Sequence, residues 1–316
     1  MPIARTAPIL VIGGTGFIGQ SLVERLVSRG HTVTLPCRDR EKVRQNLIPL
    51  PGVTVLSADV HDPHVLAELV PSHAAVINLV GILHGSPAAF RRAHVELSDK
   101  IMAAMQQAGV RRYLHMSALG ANPQGPSQYQ QSKGEAEAHV RASKLAWTIF
   151  RPSLVFGPGT CFLSMFADLL KLAPLVPLAG AQTRMQPVWV EDVSRAFVRA
   201  LEDDSLIQQS LNLVGPTVYS MQELVRYVGR TAGTPRPVFG IPDWAGQLQA
   251  ALLSVLPNPP LTRDNLTSLK VDNIDPAGFP AQLGWQPTAL EAIAPVMLAR
   301  GRARDRYLAL RQQHRH

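Results

Sequence analysis

Apolar residues along the first 150 positions fall into short, nearly unbroken runs: PILVIGG, HTVTLPC, VTVLSAD, AAVINLVG, RYLHMSA and AWTIFRP. Runs this short, without strict alternation, predict strands buried on both faces. Between most of them the apolar period lengthens to that of a helix, in FIGQSLVERLVSRG, DPHVLAELV, FRRAHVELSDKIMAAMQQAG and SQYQQSKGEAEAHVRASK. Strand–helix alternation at this rhythm predicts an α/β fold built on a doubly wound parallel sheet. Gly30 and Gly109 stand just past two helical runs, where a left-handed cap belongs.

From about residue 157 the texture changes. The stretches 156–180 and 234–262 are punctuated by Pro and Gly, whereas MQPVWVEDVSRAFVRALED and LNLVGPTVYSMQELVRYVG return to strand-then-helix texture. This predicts a smaller C-terminal lobe over 157–186 and 216–299, with segments near 187–215 rejoining the main sheet of residues 1–156. At 316 residues and 46% apolar, the chain can bury one large core or two intimate ones. Its two cysteines, Cys37 and Cys161, make neither a disulfide framework nor a metal-ligand spacing. A reducing, cytoplasmic setting is therefore expected, and PILVIGG reads as a first strand rather than a secretory signal. No stretch approaches the ~18–20 apolar residues needed to span a bilayer.

Charge adds one feature. Residues 300–316 carry six Arg and one Asp, hence five of the eight net positive charges. The plain reading is a solvated basic tail. The sharper one is attraction to an anionic membrane surface, with the protein peripheral there, or to an acidic partner. Nucleic acid is not expected as a partner, since the tail lacks interleaved aromatics and no reading module appears.

The chemistry starts at GGTGFIG, residues 13–19, set between the first strand and first helix. In that context Gly13 makes the tight turn, Gly16 admits a pyrophosphate, and Gly19 lets the helix pack close. Thr15, Phe17 and Ile18 complete the loop, and the free N–H groups of the helix N-terminus face the phosphates. This predicts a Rossmann-type dinucleotide-binding domain in residues 1–156. At the end of the second strand, where an NAD site places an acidic residue, stand Cys37 and Arg38. A guanidinium there can clamp a 2′-phosphate, so NADP(H) is favoured, with NAD(H) as the alternative through Asp39. Asp59 and Val60 end the third strand, placed to meet the adenine. Leu79, Val80 and Gly81 end the fourth, where backbone approaches the cofactor.

These motifs resemble the short-chain dehydrogenase/reductase superfamily, in its extended and atypical branches of NAD-dependent epimerase/dehydratase type. RPSLVFGPG at 151–159 is similar to the family's RPxxxYGPG segment, and PVWVEDVSRA at 187–196 to its VHVDDVARA segment. LGWQPTALEAI resembles its closing segment, so the likeness runs from about residue 8 to 293. It implies cofactor contacts from Pro152 and Leu154. The run HMSALGANPQGPSQYQQSKGEAE is most similar to the group of the NAD(P)H-binding accessory subunit of respiratory complex I. That group is known for nucleotide binding and a structural or assembly role, which implies association with such a complex.

Tyr129 and Lys133, four apart on a predicted helix, share one face. In catalytic members the tyrosine moves a proton at the substrate oxygen. The lysine binds the nicotinamide ribose and lowers the tyrosine pKa, and a serine holds the substrate oxygen. Here Ser117 stands first and Ala118 second where two hydroxyl residues are usual, and Tyr129 follows Ser117 by only 12 positions. Two readings follow. One is an oxidoreductase or epimerase transferring hydride to a small, unidentified carbonyl, hydroxyl or enone substrate, with Ser117, Tyr129 and Lys133 as its centre. The other is a nucleotide-binding structural or assembly protein. Glu191 and Asp192 are expected to fix a strand-to-helix turn, with Asp192 as the N-cap. His84, His94 and His115 show no ligand spacing. The apolar stretch 244–256 reads as lobe packing or as a face for a partner or membrane.

Overall fold

The computed structural model describes residues 7–39, 50–159, 161–253 and 261–298, so the basic tail lies outside the described residues. Seven parallel strands form the main sheet. They are β1 (Pro8–Ile12), β2 (Thr32–Cys37), β3 (Val53–Ser57), β4 (Ala75–Asn78), β5 (Arg112–Met116), β6 (Ala146–Pro152) and β7 (Gln209–Leu213). Their spatial order is β7-β6-β5-β4-β1-β2-β3. The order reverses between β1 and β4, the crevice where open α/β sheets bind ligands. The six runs read as strands in the first 150 residues all become strands of this sheet.

Period-2 geometry explains why β1 is apolar throughout. Ile9 and Val11 pack with Leu22 and Leu26 of α1 (Phe17–Ser28) on one face. Leu10 and Ile12 pack on the other, with Leu66 of α2 (Pro63–Leu69) and Ile101. The second face is completed by α3 (Pro87–Arg91), a π-turn over Arg92–Glu96, α4 (Leu97–Ala108) and α5 (Gln128–Ala142). Gly109 ends α4 at φ +71, the left-handed cap expected of it.

Downstream, α6 (Cys161–Leu172) opens the smaller lobe, and α7 (Val190–Glu202) returns to the main sheet beside α1. There Phe197 stacks on Phe150 at 3.8 Å between centroids. The lobe then continues with α8 (Met221–Ala232), α9 (Asp243–Leu253) and α10 (Arg263–Ser268). Its own core gathers Phe156, Leu163, Leu170, Leu224, Val228 and Leu290. On α9, Ala250 is buried against Ala179 and Leu266, whereas Trp244 and Leu248 are exposed. That helix therefore packs by one face and leaves an apolar one outward; residues 254–256 lie outside the described residues.

One expectation is corrected. The N-cap of α7 is Trp189, which makes no side-chain cap bond, and Asp192 sits inside the first turn. The Asp192 carboxylate instead accepts from the Trp285 indole at 3.1 Å and the Thr288 amide at 2.6 Å. It ties the closing segment to the sheet. Glu191 serves a parallel purpose, accepting from Ser21 and Arg25 of α1.

Candidate functional site: a dinucleotide cleft

The glycine loop has the shape a pyrophosphate needs. Gly13 turns at φ +82, and a Cβ there would lie 3.0 Å from the Val80 nitrogen. A Cβ on Gly19 would come within 2.4 Å of the Gly14 carbonyl oxygen, so α1 packs directly on the turn. At Gly16 a Cβ would meet only the Gly13 oxygen, at 3.3 Å, which leaves bare backbone facing outward. Gly16 caps α1 without a side-chain bond, and no acidic residue occupies the first turn. The amides and positive end of the helix are thus presented to an anion. Phe17 lies under the GPG turn, where a Cβ on Gly157 would sit 3.0 Å from its ring.

From this loop a cleft of about 740 Å³ runs along the ends of β1, β2 and β3. Gly13, Thr15, Arg38, Asp59, Val60 and Val80 line it, all anticipated as cofactor contacts. Asp39 lines it too. The volume suits a small-molecule site. Its walls also include Gln20, His61 and Leu97, which carry no motif. Gln20 donates to the Thr15 carbonyl at 3.2 Å and steadies the loop. His61 is held below its ordinary pKa by burial and by the cations Arg92, Lys100 and Arg38, with Asp59 opposing them. Positive charge from Arg38, Arg92 and Lys100 thus gathers around His61 at this end of the cleft.

Beyond the Val80 and Ile82 wall of the cleft stands α5, which contributes no residue to the lining. Ser127 caps it in a reciprocal box with Gln130. A Cβ on Gly134 would strike Asn122 and Pro123 at 2.4 Å, so the short loop after β5 crosses the helix in direct contact. Lys133 is buried and donates to the carbonyls of Val80, at 3.2 Å, and Met116, at 3.0 Å. A Cβ on Gly81 would lie 3.3 Å from its Nζ. Burial pulls the lysine down to about 8, with Glu137 pulling the other way. Glu137 is itself buried and paired with Arg151 and Arg141.

Tyr129 sits one turn earlier, with His94 and Phe90 edge-on to its ring at 5.7 and 6.3 Å. Burial pushes its phenol up to about 12, and no neighbouring charge opposes that shift. His94, on the π-turn, is a second element without a sequence motif. Its Nε2 accepts from the Ile82 amide at 3.1 Å, so Nδ1 carries the proton and faces Ser132 at 2.8 Å. Burial and Lys133 hold this histidine at about 2, hence neutral. Ser117 is buried at the end of β5 and, like Tyr129 and Lys133, is not among the residues lining the cleft. Pro152 is buried, its carbonyl accepting from the Leu119 amide, and Leu154 packs against the lobe core.

The lobe reaches this end through α10. Asp264 accepts from the amides of Gln128, at 2.7 Å, and Tyr129, at 3.3 Å. Ser268 bonds Ser127 at 2.8 Å, and Asn265 donates to the Leu83 carbonyl at 3.3 Å. The start of α5 and the loop after β4 are strapped together from the far end of the chain. Among the described residues no His, Cys, Asp and Glu cluster could hold a metal. No described helix is long and apolar enough to cross a membrane.

Comparison with known proteins agrees with this geometry. Residues 13–158 match a family profile described as NAD(P)H-binding. Over 306 residues the chain is 32% identical to NADH dehydrogenase (ubiquinone) 1 alpha subcomplex subunit 9, mitochondrial, of Mus musculus. That likeness covers 92% of this chain and 80% of the relative. The chain belongs to the complex I subunit 9 family. A ceramide reductase of Caulobacter vibrioides is 28% identical, covering 74% of each chain. UDP-glucose 4-epimerase of Thermotoga maritima shares the fold, with a TM-score of 0.72 at 18% identity over 94% of this chain and 99% of that one. The chain thus shares the epimerase's fold, and the span matched by the NAD(P)H-binding profile includes the residues that line the cleft.

Proposed function

We propose that the protein is an NADP(H)-holding structural or assembly component of a membrane respiratory complex, in which the nucleotide steadies the fold. The observation that carries this reading is the serine position: Ala118 stands where a second hydroxyl residue is usual, and Ser117 is buried. A hydride-transfer centre needs a serine at the substrate oxygen and a phenol drawn down by the lysine charge. Burial instead raises the Tyr129 phenol. Subunits of complex I among the relatives support the same assignment, and through them a peripheral position at the membrane.

Hydride transfer is the second reading, favoured by Tyr129 and Lys133 on successive turns of α5 and by the reductase among the relatives. The two separate in one assay, following NADPH absorbance with a panel of carbonyl and quinone substrates. On the structural reading Tyr129→Phe leaves thermal stabilisation by NADPH unchanged and no substrate is turned over. Turnover that the substitution abolishes would establish the enzyme instead.

NADP(H) over NAD(H) rests on Arg38 at the cleft wall, with Arg92 and Lys100 adding charge at the same end. Arg38→Ala should weaken NADPH on the order of tenfold or more, one charge-assisted contact, and leave NADH nearly unchanged. Equal losses for both nucleotides in calorimetric titration would remove the assignment.

A further inference from the structure

Two buried polar atoms near Lys133 find no partner among the described residues: the Ser117 hydroxyl and the His115 Nε2. Ser117 and His115 stand two apart where β5 ends, hence on one face, and are 3% and 1% exposed. Met116 lies between them and gives its carbonyl to Lys133 at 3.0 Å. The ammonium and both unpartnered atoms therefore share one strand end.

The His115 ring is held from behind. Asn78 Oδ1 accepts from the Val80 amide at 3.1 Å, which fixes the orientation of its amide. Its Nδ2 then donates to the Tyr113 hydroxyl at 3.2 Å and to Ser98 at 3.3 Å. The Tyr113 hydroxyl lies 3.2 Å from His115 Nδ1. Burial and Lys133 keep the His115 ring neutral, at about 3. Its Nε2 is left in the interior with no partner among the described residues.

We propose that Ser117 and His115 hold an enclosed water against Lys133, which makes Ser117 a positioning residue for the lysine and not a clamp on a substrate. A water there accepts from the third Lys133 N–H and bonds the His115 Nε2 and the Ser117 hydroxyl. Three partners are the usual complement of a buried water. The other two lysine protons go to Met116 and Val80, and the longer Val80 bond is the one a ribose hydroxyl replaces. The water favours the ammonium, which burial disfavours. The titratable groups acting on Lys133 are Glu137 on α5, which supports its charge, and His94 and His115, both neutral. The proposal rests on Lys133 holding the nucleotide.

Crystals of the full chain diffracting well enough to show solvent should reveal one water within hydrogen-bond reach of Ser117 Oγ and His115 Nε2, lost in Ser117→Ala. The pH midpoint above which NADPH binding weakens should fall by about half a unit in Ser117→Ala. It should stay put in Ser117→Thr, which keeps the hydroxyl. His115→Phe serves as the second variant, with a shift in the same direction. No density at that point, or an unmoved midpoint in both variants, overturns the proposal. Lys133→Met with wild-type affinity would show that the lysine reading itself had failed.

Discussion

Lys133→Met is expected to weaken NADPH binding tenfold to a hundredfold, the loss of a charge-assisted bond of about 1.5–3 kcal/mol. The pH dependence makes the case specific. The ammonium is the form that binds a ribose hydroxyl, and burial has lowered its pKa from 10.5 to about 8. Affinity should therefore decline as pH rises through about 8. Stability of the nucleotide-free protein should move the other way. Between pH 8 and 10.5 the unfolded chain holds a proton that the folded one has released, so stability rises with pH across that window. Lys133→Met should flatten both curves, read by calorimetry and by denaturant melts. A variant that kept either slope would show that another group titrates there.

Gly19→Ala should cost about 1–3 kcal/mol of stability, the range for overpacking a tight site. Its Cβ would fall 2.4–2.5 Å from Gly14 backbone atoms, which cannot rotate away as a side chain end could. Helix α1 must then lift from the turn and carry its N-terminal amides off the phosphate position. Gly16→Ala provides the contrast. Its backbone, at φ −75, suits alanine, and the new Cβ meets only one oxygen at 3.3 Å. That variant should melt near the wild type while losing nucleotide affinity, since the methyl projects where backbone must approach the pyrophosphate. Equal melting losses in the two variants would refute this division of labour.

What could be read from the sequence was local. GGTGFIG identifies itself within seven residues because tight turn, phosphate approach and helix packing are all short-range demands. The six early strands are equally plain, since apolar and β-branched residues dominate each short run. Tyr129 and Lys133 were located by helical spacing, yet spacing says nothing of the medium around a phenol. Its environment comes from Phe90 and His94, some 35 residues upstream, brought over it by the π-turn. Asp192 was misjudged for a similar reason. An aspartate at a helix start reads as a cap, but this one is claimed by Trp285 and Thr288, more than 90 positions away. His61, Lys100 and Asp264 likewise contribute through contacts that no local pattern encodes.

The strap from α10 has a consequence for how the protein is made. The first turn of α5 is completed by a carboxylate 135 and 136 positions further along the chain. At synthesis rates of about 5–20 residues per second, Asp264 follows Tyr129 out of the ribosome by on the order of ten seconds. Through that interval strands β1 to β5 are present and β6 soon joins them, while the helix that bears Lys133 lacks part of its cap. The cap of the helix that carries Lys133 is thus finished late, from the carboxyl-terminal side.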